Sequence, residues 1–151
     1  MSFKFADYLP PSQKIHYVGV DISKEVVRIA KSKRKPPLKF VYAQAHMFRP
    51  TQKFDMIIFS EMLYYVEHQK ILSQYGEYLT PNGIIVISIF YLGEKLLYEE
   101  IFKFAQNHFQ LVDQIDILGF TKKSSTESRK RTAFHIEVYR LRGKQVSGHL
   151  K

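Results

Sequence analysis

The sequence predicts an α/β fold: a mostly parallel sheet layered between helices, with an antiparallel pair of strands at the C-terminal end. Three observations predict it. Short β-branched, apolar runs at residues 15–22, 38–43, 54–60 and 84–90 mostly alternate with segments of helical period. The runs at 54–60 and 84–90 are almost continuously apolar, the pattern of strands covered on both faces. The last two runs, 110–118 and 133–141, have no helical segment between them and so pair antiparallel.

Each element follows in order. Residues 3–9 form a short amphipathic segment stopped by Pro10 and Pro11, the last turns of a helix. Residues 15–22 are a strand with Gly19 inside it. Ser23 is an N-cap for a helix whose stripe is Val26, Val27, Ile29 and Ala30, and which ends in a basic run before Pro36 and Pro37. A third-strand candidate at 38–43 leads through a polar connection, 46–53, to the strand at 54–60. A helix over 67–79 is closed by a turn at Thr80, Pro81, Asn82 and Gly83, which launches the most hydrophobic strand, 84–90. A long helix covers 94–108, and the strands at 110–118 and 133–141 enclose a polar, mobile loop at 121–132. Residues 1–142 read as one domain and 143–151 as a flexible tail.

At 151 residues the chain can bury a normal core. It has no cysteine, which excludes disulfides, thiolate metal sites and cysteine nucleophiles within it and fits a cytoplasmic location. The longest apolar stretch, 83–92, is broken by Ser88 and is too short to span a bilayer. The net charge of +9 gathers in two groups. Lys31, Lys33, Arg34 and Lys35 close a helix, where cations oppose the negative end of the dipole. Lys122, Lys123, Arg129, Lys130 and Arg131 lie in the predicted loop. Neither group carries the interleaved aromatics of a single-strand groove, so a nucleic-acid partner is not expected.

No Gly-x-x-x-x-Gly-Lys loop and no Gly-x-Ser-x-Gly elbow occurs, which argues against P-loop hydrolysis and an α/β-hydrolase. The six histidines are scattered, without a His-x-x-x-His pair, and no metal site is expected. Asp21 closes the first strand, where an acid can accept hydrogen bonds from a ribose; it can equally serve as the acid of a helix N-terminus. Ser60 and Glu61 end the strand at 54–60, at the crevice where open α/β sheets bind ligands. Glu61 is either an orienting group for an amine, a cofactor contact, a speculative base or a helix-start acid. Tyr64 and Tyr65 either roof the site and stack on a substrate or pack against helices.

Three segments in register carry a family resemblance: 17–23 (YVGVDIS), 54–66 (FDMIIFSEMLYYV) and 79–88 (LTPNGIIVIS). Together they resemble the class I S-adenosylmethionine-dependent methyltransferases, and the segment around Glu61 is most similar to the nodulation N-methyltransferase type and its small-molecule relatives. The resemblance covers residues 3–141. It implies a Rossmann-like three-layer sandwich in which 15–22 and 38–43 are the family's second and third strands. The runs at 54–60 and 84–90 are then its fourth and fifth, and 110–118 and 133–141 its sixth and seventh.

The family's first strand and glycine-rich turn have no counterpart, so the chain is expected to be N-terminally truncated, with activity in doubt. Two inner sheet edges are expected to be open to self-association or to a partner's strand. The resemblance further implies S-adenosylmethionine as cofactor and a small-molecule methyl acceptor. Asp21 holds the ribose, Ile22 packs on the adenine, and Gln44 with Ala45 stands where the family has an acidic adenine contact. Ser60 meets the cofactor, and Glu61, Tyr64 and Tyr65 face the acceptor. The competing reading is a non-catalytic module completed by a partner's strand.

Overall fold

The computed structural model describes residues 15–34, 38–91, 95–121 and 130–142. The expected helix at 3–9, most of the loop at 121–132 and the tail lie outside the described residues. The chain divides into two compact units, Met1–Pro50 and Thr51–Lys151.

In the first unit, β1 (Val18–Asp21) pairs parallel with β2 (Lys39–Tyr42), with Val18 opposite Lys39 and Asp21 opposite Tyr42. The helix α1 (Lys24–Lys33) starts at its expected cap: Ser23 Oγ accepts the Val26 N–H at 3.3 Å. Half of the expected stripe is buried: Val27 and Ala30 pack against Phe40, with Tyr17 and Leu38 beside them, whereas Val26 is half-buried and Ile29 is exposed. Lys31 and Lys33 occupy the last turn, where their charge meets the exposed carbonyls of the helix end.

The second unit contains β3 (Phe54–Ser60), a 3-10 turn (Leu63–Tyr65), α2 (His68–Gly76), β4 (Leu79–Tyr91), α3 (Lys95–His108), β5 (Phe109–Thr121) and β6 (Lys130–Leu141). Its sheet order is β3-β4-β6-β5. The β3–β4 pair is parallel, and β6 is antiparallel to both β4 and β5. The parallel pairs followed by an antiparallel terminal pair give the α/β class anticipated from the alternating runs. The strands form two sheets rather than one: among the described residues no strand bonds to the outer edge of β1 or of β3.

Among the described residues of this unit, the helices cover one face of the four-stranded sheet. Ile57, Phe59, Ile85, Ile87, Ile89 and Tyr139 are buried on the face that carries α2 and α3. The helices contribute Ile71, Leu72, Tyr75, Ile101, Phe102 and Ala105 to the same core. The opposite face is also apolar, yet Met56, Ile58, Ile115 and Ile117 on it are exposed.

Several boundaries differ from expectation. β1 is shorter than the run at 15–22, and β5 and β6 run past 110–118 and 133–141, so that Thr121 and residues 130–132, expected in the loop, belong to strands. The helix predicted over 67–79 is confined to His68–Gly76, preceded by the 3-10 turn. The turn predicted at 80–83 is absorbed into β4. There one residue of β3, Asp55, opposes four of β4, Thr80 to Gly83, between the Phe54–Leu79 and Met56–Ile84 pairs. Local turn chemistry therefore yields a bulge, because pairing with β3 resumes on both sides of it. Gly83 fits this bulge by having no side chain: a Cβ there would lie 2.9 Å from the Phe54 carbonyl oxygen and 3.1 Å from that of Thr80. Gly83→Ala is expected to cost about 1–3 kcal/mol through backbone displacement, read as a lowered urea midpoint with an unchanged slope.

Candidate functional site

The parallel pair β1–β2 brings four of the sequence-nominated residues to one end. Asp21 is the last residue of β1, and the Asp21 carbonyl accepts the Ala43 N–H at 3.1 Å, which holds the two strand ends level. Asp21 Oδ1 accepts the Ser23 N–H at 2.8 Å, so the carboxylate also shapes the turn into α1. Ile22 follows with 65% of its surface exposed, and Tyr42 beside it is half exposed. Lys24 Nζ lies 5.2 Å from the Tyr42 ring centre. Gln44 and Ala45 come next after β2; the Gln44 carbonyl accepts the Met47 and Phe48 N–H groups in a tight turn, and its side chain is exposed.

This end of the first unit offers an acidic oxygen beside an apolar shelf. A ribose diol needs hydrogen-bond acceptors, and a purine needs a flat apolar neighbour with a polar edge. Asp21 meets the first need. Ile22 with Tyr42 meets the second, and Gln44 supplies an amide edge. The donor set thus fits a nucleoside.

In the second unit the nominated residues gather at the C-terminal end of β3. Ser60 is exposed and pairs with Ser88. Glu61 is the one non-glycine residue with positive φ, at 55°, among the described residues. That left-handed conformation is costly for glutamate and is held in place by its contacts. The Glu61 N–H donates to the Ser88 carbonyl at 3.0 Å. Glu61 Oε1 accepts from Ser88 Oγ at 3.1 Å, and Oε2 accepts the Phe90 N–H at 2.8 Å and the Tyr64 hydroxyl at 3.4 Å. The carboxylate therefore ties the ends of β3 and β4 to the 3-10 turn.

Leu63 is buried and anchors that turn. Tyr64 and Tyr65 lie with ring centres 4.3 Å apart, and Tyr98 of α3 meets Tyr64 edge-on at 5.9 Å. Burial, the contact with Tyr65 and the Glu61 charge all push the Tyr64 phenol well above its ordinary range, so it stays a donor at every physiological pH. Tyr65 is exposed and open to a ligand.

Sequence reasoning missed Ser88, the Phe90 N–H and Tyr98. Tyr98 had a legible signal: it stands four residues before Phe102 and eight before Gln106, on one helical stripe. His68 is turned into the helix packing, 6.0 Å from the Phe104 ring centre, and burial lowers its pKa. A cavity of about 350 Å³ near Lys53, Leu79 and His108 lies at the other end of β3 and β4, away from Glu61. No helix among the described residues is long and apolar enough to cross a membrane.

A family model described as a methyltransferase domain matches residues 1–132. No curated protein matches the sequence. Among solved structures, the chain is similar to the N-methyltransferase NodS from Bradyrhizobium japonicum WM9 in complex with S-adenosyl-L-homocysteine. The TM-score is 0.65 at 14% identity, over 83% of this chain and 66% of that one. It is also similar to a TehB-like SAM-dependent methyltransferase from Corynebacterium glutamicum, with TM-score 0.60 at 15% identity over 83% and 67% of the two chains. A third is the 1,6-didemethyltoxoflavin-N1-methyltransferase of Burkholderia thailandensis, with TM-score 0.59 at 15% identity over 87% and 63%. At these identities the likeness is one of fold, and the chain spans about two thirds of the length of each.

Proposed function

Because this chain belongs to the methyltransferase-domain family, of the class I S-adenosylmethionine-dependent kind, we propose that it is a cytoplasmic enzyme. In this reading it binds that cofactor through the ends of β1 and β2 and methylates a small molecule, an amine. The observation that carries the reading is Asp21, a carboxylate at a parallel strand end beside the exposed Ile22.

Asp21 accepts from the ribose hydroxyls, and Ile22 packs on the adenine. Gln44 and Ala45 border the adenine edge, Gln44 making a weaker contact than an acid would. On the second unit, Ser60 is the residue assigned to the cofactor. When bound, the cofactor supplies an electrophilic methyl group on a sulfonium. The protein's task is then to hold a neutral acceptor nitrogen in line with it, and positioning lowers the barrier without a dedicated acid.

Glu61 and the tyrosines do this positioning. A carboxylate offers about four lone-pair sites, and three of those on Glu61 are engaged by Ser88, Phe90 and Tyr64. The remaining one accepts an N–H of the acceptor; service as a base is the more speculative role. Tyr65, with Tyr64 behind it, stacks on the acceptor. An amine acceptor agrees with the N-methyltransferase names of two structural neighbours.

The outer edge of β3, to which no strand among the described residues bonds, supports a second reading, a non-catalytic module whose sheet a partner's strand or a second copy extends. Calorimetry of the chain with S-adenosylhomocysteine separates the two. Saturable binding, however weak, is expected for the enzyme. No heat at millimolar ligand, with retained pairing to an apolar strand peptide, would favour the module.

A further inference from the structure

A second polar network lies beneath α3, outside the proposed site. Glu137 is buried, 3% exposed, in the helix-covered face of the sheet. Its carboxylate accepts from His135 Nε2 at 3.0 Å, from Gln106 Nε2 at 3.1 Å and from the Tyr139 hydroxyl. The other ring nitrogen, His135 Nδ1, lies 2.6 Å from Asp116 Oδ1 on β5. Carboxylates only accept, so both ring nitrogens must donate, and the ring is an imidazolium. The two acids sit on opposite sides of the ring and do not converge on a common point, so the cluster is not a metal site.

Opposite His135 and Glu137, β4 presents Ile89 and Ile87. From α3 come Phe102, edge-on to the His135 ring at 4.7 Å, and the neutral amide of Gln106. The titrating groups bonded to the ring are Asp116 of β5 and Glu137 of its own strand, with Tyr139 one step beyond.

Phe102 and Gln106 share their helical stripe with Tyr98, and Tyr98 touches Tyr64 at the other end. We propose that His135 is a positioning residue for the acceptor site, its charged ring fixing α3 through Phe102 and the Glu137–Gln106 pair and so setting where Tyr98 stands against Tyr64. The inference rests on the methyltransferase reading for the identity of that site, but the coupling itself is independent of cofactor. Burial opposes the charged ring, yet the hydrogen bonds to Glu137 and Asp116 outweigh it and raise the pKa above the ordinary 6.5. The clamp is therefore fully formed below that value and relaxes as pH rises through the elevated one.

The test is NMR of the full chain with labelled histidine and tyrosine, titrated from about pH 5.5 to 9.5. The Tyr98 ring signal, assigned with Tyr98→Phe, is expected to move with the His135 midpoint. Asp116→Asn, at an exposed position, should lower both midpoints together by roughly one unit. His135→Gln should abolish the Tyr98 titration; if that variant does not fold, Asp116→Asn decides alone. A Tyr98 signal indifferent to pH, or one that keeps its midpoint when that of His135 falls, overturns the proposal. Cofactor binding measured separately by calorimetry can fail without touching this coupling, and the coupling can fail while the cofactor binds.

Discussion

Glu137→Ala is expected to lower the free energy of unfolding by about 3–5 kcal/mol, the usual consequence of removing one partner from a buried charged pair. The variant leaves the Tyr139 hydroxyl and the Gln106 amide without their acceptor and strips the His135 ring of its inner carboxylate. Against a typical total of about 5–15 kcal/mol, that is roughly a fifth or more of the stability. Glu137→Gln, which keeps an acceptor oxygen, should cost less. Urea unfolding across pH adds a sign. The His135 contribution in the parent is complete below 6.5 and fades as pH rises through its raised folded-state value. In Glu137→Ala the fading should be complete at lower pH, because the larger of the two supports of the charge is gone. A midpoint unmoved by either substitution would mean that the network carries no stability.

Asp21→Ala is expected to weaken S-adenosylhomocysteine binding by at least about 100-fold. Two hydrogen bonds to a charged acceptor are worth about 1.5–3 kcal/mol each, and each 1.4 kcal/mol is roughly a factor of ten. The alanine also removes the bond from the Ser23 N–H that shapes the start of α1. Asp21→Asn separates the two effects, since its amide oxygen can keep the Ser23 contact while the charge is lost; roughly a tenfold loss is expected. Calorimetry on both variants, with circular dichroism to verify the helix, makes the measurement. Equal affinity in all three proteins would remove Asp21 from the ribose.

The strands β1, β3 and β4 were legible because an apolar run must be buried, and an alternation of such runs with helices leaves few ways to bury it. The N-cap of α1 was legible because Ser23 precedes the stripe. The bulge of β4 was not: Pro81, Asn82 and Gly83 spell a turn, and only pairing with Phe54 and Met56 turns it into an irregularity within a strand. At Glu61 a left-handed backbone cannot be read from a residue that rarely adopts it. What hid the His135 network is an inversion. Along β6, Phe134, Ile136 and Val138 alternate with His135, Glu137 and Tyr139, and the rule that apolar residues face inward selects the first set. The fold instead buries Glu137 and Tyr139 under α3, which it can do because the polar atoms satisfy one another.

That inversion leaves Ile115 and Ile117 of β5, with Met56 and Ile58 of β3, looking outward from a well-ordered sheet. Amphiphilic dyes such as ANS bind exposed apolar surface whether or not side chains behind it are fixed. For this chain, dye fluorescence is a poor criterion of a loosened core. Near-ultraviolet dichroism from the packed tyrosines, Tyr139 above all, is the measurement that distinguishes a native preparation from a collapsed one.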